Sequence, residues 1–254
     1  MSGFVFVDQE APDYLRRAVS GARVTLPSFE PPWLVVAHSL ERVLVVRWPG
    51  RLFRAEIVPP ATDEERAAMT RAAENLRSDA GYTRAHSIDL LEEISPATLF
   101  GPHGDAVRRV LDAGGALDEE GACRLAAARH PEADRAYSAA WDRWLAEQPM
   151  GVVYRGTGHE RVVEIPGAGP SPSPVGHGLS ALAHTVRESA GLRGGAGARD
   201  ADEHGDEVLA EPWCTARDAL LDAAMAFGAP RLVRGRPAAV LTAAWSAAFG
   251  SVAP

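Results

Sequence analysis

The segment RVLVVRWPGRLFRAEIVPP, residues 42–60, constrains the fold more than any other stretch of the chain. Two runs rich in branched and aromatic residues flank Pro49-Gly50, the composition of strands joined by a turn. Placing Trp48 opposite Arg51 sets Val46 against Phe53 and Leu44 against Ala55. Trp48, Val46, Leu44, Phe53, Ala55 and Ile57 then share one face, while Arg47, Arg54 and Glu56 share the other. A register that separates apolar from charged residues on both runs predicts a half-buried antiparallel hairpin, because a slip of one residue would reverse every side chain. Pro-Gly fits the centre of a type II turn. Tight hairpins prefer the primed turns, so a slightly longer loop stays open as an alternative.

Around this hairpin the chain reads as an α+β protein, an antiparallel sheet flanked by helices with a helical C-terminal region. Phe4 to Val7, Arg23 to Leu26, Trp33 to Ala37 and Tyr82 to Ile94 read as strands, the last with its alternation blurred at Leu90-Leu91. Thr62-Asp-Glu-Glu65 has the spacing of a capping box and predicts a helix to about Arg77. Further helices follow Asp105, Asp118 and Pro131, the last with Ala133, Tyr137, Trp141 and Trp144 on one apolar stripe that core packing explains. Residues 151–166 read as a second hairpin. The Pro/Ser/Gly stretch 167–178 reads as a linker or long loop dividing an α+β domain, 1–166, from a mainly helical region, 179–254. Residues 191–207 are expected to be mobile, and two Ala-rich helices are expected at 215–227 and 237–249.

Composition removes whole classes of chemistry. All 26 basic residues are arginine, so a P-loop lysine, a Schiff-base lysine and a Ser-Lys pair are excluded. The net charge of -8 argues against binding nucleic acid through its phosphates. No apolar run approaches the about 20 residues of a membrane span, and the start of the chain lacks a basic signal region, so a cytoplasmic protein is expected. Cys123 and Cys214 share no metal or redox spacing and are expected to be separate buried thiols.

Three constellations carry candidate chemistry. Residues 200–211, DADEHGDEVLAE, set acids at positions 1, 3 and 12 and glycine at position 6 of a calcium-type loop. His204 at position 5, Glu207 at position 8 and a Gly-rich stretch in place of the entering helix depart from that pattern. His177 and His184, two helical turns apart, would need ligands from elsewhere to hold a metal. Arg231, Arg234 and Arg236 form the densest basic cluster, beside Gly235 and ahead of the last helix, and could grip a carboxylate, a phosphate or an acidic partner. Neutralisation of Asp218 and Asp222 is the simpler expectation for these arginines.

The leading expectation is a non-catalytic cytosolic interaction or regulatory protein with no cofactor, binding a protein partner or itself, with a small anionic ligand as a further candidate. The alternatives are a metal-assisted hydrolase using His177, His184 and the 200–211 loop, and a small-molecule enzyme or binder with a pocket of scattered residues.

Overall fold

The computed structural model describes residues 1–45, 47–74, 81–147 and 174–250, with the side chains of 145–147, 174–177 and 196 left aside. These residues fall into two compact units. The first comprises Met1–Leu44 and Gly50–Leu99; the second comprises Val45–Pro49 and the described residues from Phe100 onward. Helices on both sides of the proposed linker belong to the second unit. Residues 167–173 of that linker lie outside the described residues, and Pro174 already starts a helix.

The first unit is a six-stranded antiparallel sheet. Along the chain come β1 (Ser2–Asp8), the short α1 (Asp13–Arg16), β2 (Arg23–Thr25), β3 (Leu34–Ala37), β4 (Gly50–Ile57), α2 (Asp63–Ala73), β5 (Tyr82–Ala85) and β6 (Ser87–Ile94). They are ordered β2-β6-β4-β1-β3-β5 across the sheet. Alternation places Val5, Val7, Leu34, Val36, Phe53, Ala55, Ile88 and Leu90 in one buried cluster. Thr62 and Glu65 form the expected capping box, with the Glu65 carboxylate held below its usual range by the backbone N–H groups of Ala61 and Thr62.

The 42–60 hairpin does not form. Its second run is β4, a central strand, but β4 pairs with β1 (Val5 opposite Phe53) and with β6 (Ala55 opposite Leu90). Leu44 does not face Ala55; it is 75% exposed, and Val46 lies outside the described residues. Gly50 opens the strand instead of turning it. A Cβ there would sit 2.2 Å from Phe6 Cζ, so close ring packing selects glycine. The expected single strand 82–94 is two strands, which pair with β3 and with β2 and β4. The blurred alternation has a cause: the register shifts between Arg54 and Ala55, leaving Leu91 unmatched and exposed as a bulge residue.

The second unit is helical, with α3 (Gly104–Ala116), α4 (Glu119–Ala128), α5 (Ala133–Glu147), α6 (Pro174–Arg193), α7 (Trp213–Gly228), α8 (Arg236–Leu241) and α9 (Ala243–Phe249). Between α6 and α7 a small hairpin pairs β7 (Arg199–Ala201) with β8 (Glu207–Leu209), where the sequence suggested a mobile stretch. Helix α7 is the hub. Trp213, Ala216, Ala219, Leu220, Ala223, Ala224, Met225 and Ala226 are all buried, and α3, α4 and α6 pack on it. Burial around most of its circumference explains the alanines, since small side chains let several neighbours approach at once. The expected last helix is two, α8 and α9, meeting at Thr242. Among the described residues no helix is long and apolar enough to cross a membrane.

Trp245 on α9 is 4% exposed, packed edge-on against Phe227 and tilted against Phe249. Its indole Nε1 is buried with no hydrogen-bond partner among the described residues. An unsatisfied buried donor costs about 1–3 kcal/mol, and removing it offsets the smaller ring's lost packing. Trp245→Phe is therefore expected to change unfolding free energy by less than about 1 kcal/mol, measured by urea denaturation. A loss well above that would mean the indole nitrogen has a partner.

Candidate functional site

Two groups of charged residues stand out in the second unit, one inside it and one on its surface. The internal group is built on Arg129, which ends α4. Its Nε donates to Asp222 Oδ2 at 2.9 Å and its Nη2 to Asp134 Oδ1 at 2.7 Å, while Nη1 lies 3.8 Å from Asp218 Oδ2. Asp218 also receives Arg217 at 2.7 Å, and Arg217 Nη2 reaches Cys214 Sγ at 3.6 Å. Cys214, Asp218 and Asp222 are successive i, i+4 positions on α7, so the helix aligns them in one row.

Only Asp222 of these carboxylates is fully buried, at 2% exposure. Burial pushes its carboxyl up to about 6, against the pull of the Arg129 guanidinium, and the nearby Asp218 and Asp134 add to the rise. Arg129 is driven above its usual value by Asp222 and Asp134, although burial opposes the shift. Burial also raises the Cys214 thiol, which disfavours the thiolate a nucleophile needs. The two cysteines are unpaired as expected, but Cys123 is exposed, not buried. Chemically, the guanidinium occupies the place among three carboxylates where a cation would sit, and it ties α4 and α5 to α7.

The surface group is the arginine loop between α7 and α8. Leu232 and Val233 are each 3% exposed and anchor it, while Arg143 Nη1 donates to the Leu232 carbonyl at 2.8 Å. Arg231, Arg234 and Arg236 project outward on either side of that anchor. Gly235 has φ +65°, a left-handed conformation that glycine adopts without strain and that turns the chain into α8. Arg236 donates to Glu132 at 2.9 Å, and Arg135 lies 3.1 Å from the same carboxylate. Arg129 and Arg217 take Asp218 and Asp222, where the simpler expectation assigned these acids to the loop; Arg236 pairs with Glu132 instead.

No protein-family model, curated protein or solved structure matches this chain.

Those of the remaining predicted residues that are described do not converge on a metal-ligand group. His184 Nε2 lies 3.3 Å from Glu188 Oε1, and Arg47 Nε reaches the same oxygen at 3.1 Å, so a guanidinium stands where a metal would have to enter. The side chain of His177 lies outside the described residues. The 200–211 segment forms β7, β8 and their turn, in which Asp202 Oδ1 accepts the backbone N–H groups of His204 and Asp206 at 2.8 and 2.9 Å. Glu207 pairs with Arg199 and Arg187. Among the described residues no three His, Cys, Asp or Glu side chains group as metal ligands.

Sequence reading missed Arg129 and its role for Asp222. One signal was available: LLDAAMAF sets an ionisable residue into a helix otherwise apolar nearly all round, and such an acid demands a buried partner.

Proposed function

We propose that this chain is a non-catalytic cytosolic interaction protein that receives an acidic protein surface on Arg231, Arg234 and Arg236. The supporting observation is the construction of the loop: two buried apolar residues fix it, and guanidinium groups stand on either side. Planar forks fixed at their base suit bidentate contact with carboxylates. On a chain of net charge -8, a local positive patch also steers an acidic surface to one place. Exposed pairs contribute only about 0.2–1 kcal/mol each, so the arginines govern orientation and salt dependence more than total affinity.

Titration calorimetry with an oligo-glutamate peptide tests this reading. Binding is expected at about 20 mM salt and should weaken steeply towards about 300 mM, where the Debye length shortens. Arg234→Glu/Arg236→Glu should lower affinity by about tenfold or more, equivalent to at least about 1.4 kcal/mol. Equal binding by wild type and this variant would refute the assignment, and so would inorganic phosphate competing as well per charge as the peptide, which would identify a small-anion site.

A further inference from the structure

The arginine loop already holds a carboxylate of this chain. Glu132, in the turn into α5, receives a hydrogen bond from Arg236 Nη2 at its Oε2, at 2.9 Å, while Arg135 Nη2 lies 3.1 Å from its Oε1. One carboxylate thus spans two guanidinium groups, one on α5 and one at the start of α8. The contact joins residues 104 positions apart, so it exists because α8 packs on α5. Both sides are fixed at their backbones. The Glu132 N–H donates to His130 Nδ1 at 3.0 Å, and its carbonyl accepts the Ala136 N–H at 3.1 Å. The bond from Arg143 to the Leu232 carbonyl ties the loop to the same helix. The charged ends stay open, with Glu132 36% and Arg236 78% exposed, so an acid from outside can reach the pair and exchange with it. Arg234, two residues before Arg236, is exposed with no ion-pair partner among the described residues.

We propose that Glu132 is a built-in competitor of the acidic partner: it occupies Arg236, and the partner binds by displacing it. This rests on the reading of the arginine loop given above and concerns the regulation of that same site. Being part of the chain, Glu132 competes at a fixed effective concentration whatever the amount of partner. Arg234 offers the first contact. At Arg236 the partner then exchanges one carboxylate for another, so the gain there is small. A single carboxylate obtains little more than one exposed pair, which is weak. A segment with several carboxylates close together obtains Arg234 and also replaces Glu132. The competitor therefore selects clustered acids over isolated ones, by making the wrong partner pay for a pair that already exists.

Titration calorimetry of the full chain with oligo-glutamate tests the inference on four proteins: wild type, Glu132→Gln, Arg236→Gln and the double variant. Unchanged far-ultraviolet circular dichroism shows that each is folded. Glu132→Gln keeps the side chain's size and removes its charge. It is expected to raise affinity by about two- to fivefold at low salt, the range set by one exposed ion pair. Its salt dependence should also be steeper than that of wild type, because Arg236 then gains a pair where before it exchanged one. In the Arg236→Gln background the same change should alter affinity by less than about 1.5-fold, since Glu132 has no Arg236 left to occupy. Equal affinity of wild type and Glu132→Gln would overturn the competitor and leave the arginine-loop reading standing. A gain of the same size in the Arg236→Gln background would overturn it too, because loss of any nearby negative charge would then suffice. Binding by none of the four would remove the arginine-loop reading and the competitor with it.

Discussion

Replacing Arg129 by alanine is expected to destabilise the protein by about 3–5 kcal/mol at pH 7, because it leaves the Asp222 carboxylate buried without its partner. The cost should shrink as pH falls. Asp222 has a folded value of about 6 against an ordinary 3.8, so the folded state binds its proton more tightly. Its contribution to stability is fully present below about pH 4 and is lost as pH rises through about 6. Removing Arg129 takes away the interactions that hold this value down, so the variant's Asp222 titrates higher still. At pH 7 the variant must bury a charge or take up a proton; near pH 4 it buries a neutral acid. The difference between wild type and Arg129→Ala, followed by urea denaturation across this range, isolates Asp222 from surface carboxylates such as Asp89, whose pairing with Arg23 gives the opposite dependence. A difference independent of pH would mean that Asp222 does not carry the penalty.

Trp48→Ala should cost a comparable amount, about 3–5 kcal/mol, as expected for truncation of a buried tryptophan. Trp48 is 6% exposed; its Nε1 donates to Asp112 on α3 at 2.8 Å, and its ring lies 5.6 Å from Phe100. Trp48→Phe keeps part of the packing but forfeits the hydrogen bond, and should therefore cost more than Trp245→Phe, whose indole nitrogen has no partner to lose. The location of the damage is as informative as its size. Val45–Pro49 belongs to the helical unit, so amide exchange should accelerate in α3 before it does in β4. Loss of protection first in β4 would place Trp48 with the sheet after all.

These two residues mark what was legible in the sequence and what was not. Local signals carried through: the Thr62–Glu65 capping box forms within four residues, and the disturbed alternation at Leu90-Leu91 corresponds to the bulge of β6 against β4. The α+β class followed from them. Period-two alternation at Trp48 reported correctly that the residue is buried, but a face pattern does not say which body buries it, and the helical unit did. Phe53 was likewise buried as expected, with β1 and β6 as neighbours in place of the preceding run. Asp222 has its partner 93 positions away, beyond any spacing rule. The arginine loop was visible as composition because its three charges lie within six residues. Its anchoring rests on the burial of Leu232 and Val233 and on the bond from Arg143 of α5 to the Leu232 carbonyl, 89 positions away, which only the folded chain brings together.

The charges of the helical unit fall into a set centred on buried Asp222 that holds helices together and an exposed set on the arginine loop, which we propose meets other molecules. The most direct test of this division is the double variant Arg129→Met/Asp222→Leu, which removes the internal ion pair and fills its space with apolar groups. Such a replacement is expected to be near neutral or stabilising by up to about 4 kcal/mol, and the variant should bind oligo-glutamate with wild-type affinity. A folded double variant that no longer binds would contradict the division and move the functional site to Arg129 and Asp222.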